Sequence, residues 1–217
     1  MCAGEADAVA LNTFSYIVAS ERGCAEVALV SVRFGSSTYA GQLVTRADTG
    51  IESVEDLAGS TFCRPDAFST SGWIIPSITM RANGVDPDTD LTEVVDAGGH
   101  DGVVRAIYDG DCDAGSTFVD ARCGIEGYED APDGGTVISE SPPIPNDNVS
   151  FGTHVPQDVR DQVTEALLEM AGAEADLAIL EDLYSWSGLE RQGNDFYDEF
   201  RQQLDAAGIS AEDFLEE

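Results

Sequence analysis

Short runs of Val, Ala and Leu alternate along the chain with stretches whose apolar residues recur every three or four positions. The short runs predict strands over residues 6–11, 26–32, 39–46, 61–64, 91–96, 114–119 and 136–139. Between them, helical spacing runs through Phe14, Ile17 and Val18, across residues 71–82, and through Val103, Val104 and Ile107. Ser53-Val54-Glu55-Asp56 has the form of a capping box for a short helix that stops at Gly59, and Asn83-Gly84 stops the next. Pro132-Asp133-Gly134-Gly135 reads as a turn.

After Val155 the pattern becomes wholly helical. Val159, Val163, Ala166, Leu167 and Met170 fall on one face of a first helix, and Leu177, Leu180 and Tyr184 mark a second. A third runs from Asn194 through Phe196, Phe200 and Leu204 to Gly208. Strands alternating with helices, then a helical tail, predict an α/β fold with mostly parallel sheets. The chain has 217 residues, enough for one large domain or two small lobes, and shows neither an internal repeat nor a low-complexity linker.

Composition changes this picture in one respect. The apolar content of 42% suits a packed core, but the formal charge is -32, and all ten cations are arginines. No basic footprint for nucleic acid or an anionic membrane exists on such a chain. Adaptation to a salty medium accounts for the acidity, and any anionic ligand must be captured by local dipoles against the overall field. Five cysteines, Cys2, Cys24, Cys63, Cys112 and Cys123, lack metal-binding spacing with His100 or His154. Cys112 and Cys123 are near enough in sequence to bridge in an oxidising compartment, and Cys2 reads as a small core residue. No apolar run approaches the length of a membrane helix.

Candidate chemistry gathers at strand-to-helix junctions. Ser69-Thr70-Ser71-Gly72 sets hydroxyls and backbone N–H groups at a helix start, where the dipole favours negative charge. Ordinary capping would explain such a cluster equally well. His100 stands at a second junction and can donate one hydrogen bond to an oxyanion when neutral, two when charged. Asp120 and Asp147 each follow a strand-like stretch; beside an oxyanion a carboxylate is repulsive unless a proton or a ligand cation lies between them.

Six segments together resemble the phosphate-, phosphite- and phosphonate-binding proteins of ABC transporters, across residues 4–205. They are residues 4–12, residues 50–59, the Asp66-to-Gly72 run with its Ser-Thr-Ser-Gly, Ala97-Gly98-Gly99-His100-Asp101, residues 113–120, and residues 139–147 ending Ile144-Pro145-Asn146-Asp147. The resemblance implies a type II periplasmic-binding-protein fold, with two α/β lobes joined by two crossing strands and a ligand in the cleft. It implies that Ser69, Thr70, Ser71 and His100 contact a phosphorus oxyanion, that Asp147 supplies a carboxylate at the ligand, and that Asp120 stands where some members read a substrate amine. Full-length members begin with a leader and a first βαβα portion of the outer lobe, so the chain resembles a member truncated at its N-terminus.

The resulting expectation is a solute-binding protein without catalytic activity or cofactor, capturing phosphonate, phosphite or phosphate for an ABC permease. Residues 1–44 and 150–217 would form the outer lobe and 45–149 the inner, hinged at residues 43–46 and 146–151. The full-length parent would be extracytoplasmic, periplasmic or lipoprotein-anchored. Two alternatives stand beside it: the same fold binding another solute such as a sulfonate or thiamine precursor, and a hydrolase built on a Cys63–His100 pair.

Overall fold

The structure is a computed structural model that describes residues 1–210; residues 211–217 of the expected outer lobe lie outside the described residues. The chain opens with β1 (Ala8–Leu11), α1 (Thr13–Glu21), β2 (Ala25–Val32) and the short β3 (Thr38–Tyr39). It continues through β4 (Gly41–Arg46), a 3-10 turn at Glu55–Leu57 and β5 (Thr61–Arg64). A π turn at Thr70–Ile74 runs into α2 (Ile75–Ala82), followed by β6 (Glu93–Asp96), α3 (His100–Asp109) and β7 (Ala114–Phe118). Then come α4 (Ala131–Gly134), β8 (Gly135–Glu140), β9 (Ile144–Pro145) and β10 (Asn148–Gly152). The chain closes with α5 (Gln157–Gly172), α6 (Glu174–Tyr184), β11 (Gly188–Arg191) and α7 (Asp198–Ala206).

Two compact units result, Met1–Tyr39 with Pro145–Glu217, and Ala40–Ile144. The segments expected to act as hinges become β4 and β10, each built into the sheet of one unit.

In the first unit four strands lie in the order β1-β10-β2-β11, and each neighbouring pair is antiparallel. Asn12 caps α1 by accepting the Ser15 N–H at 2.8 Å, and the helix buries Phe14, Tyr16 and Ile17. Leu29 and Val149 from the sheet pack with Leu180, Trp186 and Leu189, and Leu167, Leu168 and Ala171 of α5 close over them.

That packing corrects the expected face of α5. Val159 and Val163 point to solvent, at 43% and 38% exposure, whereas Arg160 and Thr164 are buried. The reason is hydrogen bonding. Arg160 donates to the carbonyls of Val155 and Thr153 at 2.8 and 2.9 Å and pairs with Glu26, so its donors are satisfied where apolar spacing alone predicted the reverse.

In the second unit five strands run β6-β5-β7-β4-β8. Parallel pairing is confined to β6-β5-β7; β4 pairs antiparallel with both β7 and β8. The α/β class therefore stands, but the expected predominance of parallel strands holds only where a helix crossover joins neighbours. Helix α3 lies close on this sheet because of Gly115, where an added Cβ would meet Cys63 O at 2.6 Å and Val103 at 2.8 Å. Gly110, at φ 87°, ends the helix in the left-handed conformation. Pro132, Asp133 and Gly134 fall in the one-turn helix α4 instead of an open turn, and Gly135 begins β8.

The cysteines pair differently from the sequence expectation. Cys63 joins Cys112, with Cα atoms 5.9 Å apart, and Cys2 joins Cys24 at 4.9 Å. Cys123 is free and exposed, so it does not bridge to Cys112, and Cys2 is an exposed terminal anchor, not a core residue. Neighbouring β5 and β7 account for the first bridge, since they bring Cys63 level with Gly115, three residues beyond Cys112.

Two outcomes follow from this pairing. The oxidised, unfolded chain should release one alkylatable thiol, assigned to Cys123 by peptide mass mapping. Replacing Cys63 and Cys112 by Ala should destabilise the second unit by up to about 4 kcal/mol in denaturant titration, as expected for opening a 49-residue loop. An unchanged unfolding midpoint would show that the bridge is absent in solution.

Candidate functional site

Strands β5 and β6 are parallel neighbours, from Thr61↔Glu93 to Arg64↔Asp96, so both end at the same edge of the sheet. Beyond that edge their exits are tied together: Ala97 N donates to Arg64 O at 2.8 Å and Gly98 N to Pro65 O at 3.0 Å. The loop to Ser69 leaves from one side of this tie and the turn to His100 from the other.

On the β5 side, Asp66 organises the approach, accepting the Phe68 N–H at 2.7 Å through its carboxylate. Ser69 caps the following turn: its Oγ accepts from Gly72 N at 3.2 Å, and its carbonyl accepts from Trp73 N and Ile74 N at 2.9 and 3.0 Å. That leaves the Ser69 hydroxyl proton available to donate. Gly72 makes the turn feasible, because a Cβ there would lie 2.3 Å from the Pro65 ring and 2.7 Å from Ser69 Oγ. Ser116 Oγ, on β7, donates to Gly72 O and pins the turn to the sheet. Ser69, Thr70 and Ser71 are all buried, at 8%, 2% and 1% exposure. Trp73 anchors the element, with the Arg64 guanidinium 4.4 Å above its ring.

On the β6 side, Gly98 takes φ 77° and α3 starts at His100. A Cβ at Gly102 would lie 2.2 Å from Ala97 O, so glycine lets the first helical turn tuck against the strand exit. The His100 ring packs on Phe118, at the end of β7, with centroids 4.8 Å apart in an edge-on arrangement. The fold thus carries the three hydroxyl residues and the imidazole on one edge of one sheet. Two helix starts also face that edge, suited to an anion.

The two aspartates have partners that the sequence did not suggest. Asp120 takes two charge-assisted bonds from Arg122, both at 2.8 Å, and one from Gln42 Nε2 at 2.9 Å. The Arg122 hydrogen bonds hold its carboxyl down to about 2, outweighing burial, which pushes it up. Asp147 belongs to the other unit, between β9 and β10, where Arg33 Nη2 donates to its Oδ2 at 2.7 Å. Burial pushes the Asp147 carboxyl above the usual range, while the Arg33 charge pulls it back. Only Arg122, two residues from Asp120, carried a local signal of this pairing; Arg33 lies 114 residues from its partner.

The disulfide at Cys63 also removes the thiol on which a Cys63–His100 nucleophile pair depends. Among the described residues there is no group of His, Cys, Asp and Glu suited to a metal ion. Nor, among them, is any helix long and apolar enough to cross a membrane.

Residues 1–197 match the family described as ABC transporter, phosphonate, periplasmic substrate-binding protein. The chain belongs to this family. The phosphate-import protein PhnD of Mycolicibacterium smegmatis is 34% identical over 128 residues, which is 54% of this chain and 40% of that relative's length. Among solved structures, a binding-protein component of an ABC phosphonate transporter from Pseudomonas aeruginosa superposes with TM-score 0.81 at 22% identity, covering 94% of this chain and 70% of that one. PhnD1 from Prochlorococcus marinus, in complex with methylphosphonate, gives 0.77 at 13% identity, with coverages of 96% and 80%. These likenesses show that this phosphonate-binding family member has the periplasmic-binding-protein fold.

The Asp120–Arg122 pair predicts a defined acid limb. Because the folded carboxyl titrates below its usual value near 4, the pair stabilises the second unit above about pH 4 and loses that contribution as pH falls toward 2. Asp120→Asn should lower stability by about 1 kcal/mol at neutral pH, a value discounted for solvent screening, and by nearly nothing at pH 2. Denaturant titrations of both proteins across this range measure the difference, and a gap that does not narrow with acid would refute the assignment.

Proposed function

We propose that the chain captures a small phosphorus oxyanion, phosphonate, phosphite or phosphate, as the binding component of an ABC-type importer. The observation that carries this reading is the tie between the β5 and β6 exits, which sets Ser69, Thr70, Ser71 and His100 around the ends of two adjacent parallel strands. Buried hydroxyls, an imidazole and two helix starts together form a donor-rich surface, and charge-assisted bonds to an ionised ligand are strong where water is excluded. The methylphosphonate bound by the Prochlorococcus relative and the phosphate import named for the mycobacterial one point to the same ligand class. A binding role without catalysis accords with the family and with the loss of the Cys63 thiol to its disulfide. Delivery to a membrane permease, and an extracytoplasmic location for the parent protein, follow from the same family reading.

Asp147 and Asp120 are retained in this proposal as candidate ligand residues on the family resemblance alone. Calorimetric titration with phosphate, phosphite, methylphosphonate and, as a control anion, methanesulfonate tests the proposal directly. Saturable binding of at least one phosphorus oxyanion is expected. Ser69→Ala, Ser71→Ala and His100→Ala should each weaken it roughly tenfold to a hundredfold, the worth of one charge-assisted hydrogen bond. Failure of all three phosphorus anions to bind would overturn the function, and unaltered affinity in all three variants would move the site elsewhere.

A further inference from the structure

Strand β7 is the third element at the edge where β5 and β6 end. It pairs parallel with β5, Phe62 level with Ala114 and Cys63 with Gly115. Strand β5 stops at Arg64, the next residue, whereas β7 runs on to Phe118. Its end therefore projects past β5, on the side where the chain leaves for Ser69 and His100. The projection is held from its other flank: β4 pairs with it, Gln42↔Thr117 and Gly41↔Phe118, and Val119 N donates to Ala40 O at 2.9 Å. From there β7 touches both halves of the candidate site. Ser116 Oγ donates to Gly72 O, in the turn that Ser69 caps. Two residues on, the Phe118 ring meets the His100 imidazole edge-on, with 4.8 Å between centroids and 66° between planes. All of these residues lie within Ala40–Ile144, so the contact is internal to one unit.

His100 is the first residue of α3. Helical side chains lean back toward the N-terminus, so at this position the imidazole leans off the helix, with no preceding turn to pack on. A half-buried ring there turns on two torsions, yet a donor to an oxyanion must hold one direction. An aromatic neighbour supplies that hold, because edge-on ring pairs are favourable and orientation-specific. Phe118 has no hydrogen-bonding group of its own, so it cannot itself bond to an anion.

We infer that Phe118 is a positioning residue for His100: its ring, fixed by the β4–β7 ladder, sets the direction in which the imidazole presents its N–H to an oxyanion. The inference rests on the oxyanion-binding reading above and adds to it a residue that acts through the imidazole. It also gives β7 a part in the site, as the strand that ties the Ser69 turn and His100 to one rigid ladder.

The test has a spectroscopic arm and a binding arm. The chain has two histidines, and His154, bonded to Asp7 in the other unit, is the internal reference. In the unmodified, ligand-free chain, nuclear Overhauser contacts should join the His100 and Phe118 rings. Phe118→Leu removes the ring current and should shift the His100 ring protons while those of His154 stay in place. Calorimetric titration then uses the tightest binder among phosphate, phosphite and methylphosphonate. Phe118→Leu should weaken it roughly threefold to tenfold, the worth of an aromatic pair, and Phe118→Tyr, which keeps the ring, should restore it. In a His100→Ala background Phe118→Leu should have no further effect, since the group it acts through is gone. Circular dichroism melting shows whether the variants fold, and the ring contacts in the unmodified chain need no variant. Missing ring contacts, unaltered affinity in Phe118→Leu, or a loss that persists in the His100→Ala background would overturn the inference and leave the oxyanion reading intact. Absence of binding by all three anions would overturn the reading itself, and the inference with it.

Discussion

The parallel register of β5 against β6 is the constraint on which the rest of the candidate site depends. It fixes Arg64 opposite Asp96, and the ladder then runs on past the strands as Ala97 N to Arg64 O and Gly98 N to Pro65 O. Two loops with no other reason to meet are thereby anchored at neighbouring points. Small residues do the remaining fitting. Gly72 admits the Pro65 ring beneath the Ser69 turn, Gly102 admits the Ala97 carbonyl under the first turn of α3, and Gly115 lets that helix rest on the sheet. A side chain at any of the three would push a helix start away from the common edge, because backbone atoms stand in the way at two of them and a ring at the third.

Charge acts at two length scales here, and they oppose each other. At long range the chain, at -32, repels every anion, with screening by salt setting the reach of the repulsion. At short range the ten arginines are spent on local partners: nine of them take part in ion pairs among the described residues. Most of these pairs are half-exposed and contribute little stability each. Their consequence is positional, since Arg160 decides which face of α5 is buried and Arg64 braces Trp73 under the Ser69 turn. In the proposed site, hydroxyls, helix starts and an imidazole are then the groups left to hold an anion. Such dipolar groups work at contact distance, where the long-range field matters least.

Much of this was legible in the sequence. Strand β5 was bounded correctly by its apolar run and Pro65, and the helix through Val103, Val104 and Ile107 was read from its spacing, though not its end at Gly110. The placement of Ser69 and His100 at strand-to-helix junctions was legible from the runs around them, while ordinary capping explains the Ser69 cluster equally well. What was not legible depended on partners far along the chain. The face of α5 turned on Arg160 finding the carbonyls of Thr153 and Val155 and the carboxylate of Glu26. Periodicity assigns Val159 and Val163 to the core because it cannot price a buried arginine whose hydrogen bonds are all met. The disulfides failed for a related reason: sequence proximity favoured Cys112 with Cys123, while strand adjacency brought Cys63 to Cys112 across 49 residues.

The same asymmetry bears on how a lone carboxylate in the sequence should be read. A sequence displays Asp147 as a charge, and a charge near an oxyanion calls for a cation on the ligand. The structure shows the counter-ion arriving from β2's exit, 114 residues away, so the demand is met within the protein before any ligand is present. The chemistry left there is then that of the pair, not of the aspartate alone. A neutral pair does not repel an oxyanion as a bare carboxylate would. In a chain with so few cations, an ion pair of this kind changes the local field more than the remaining surface charge can.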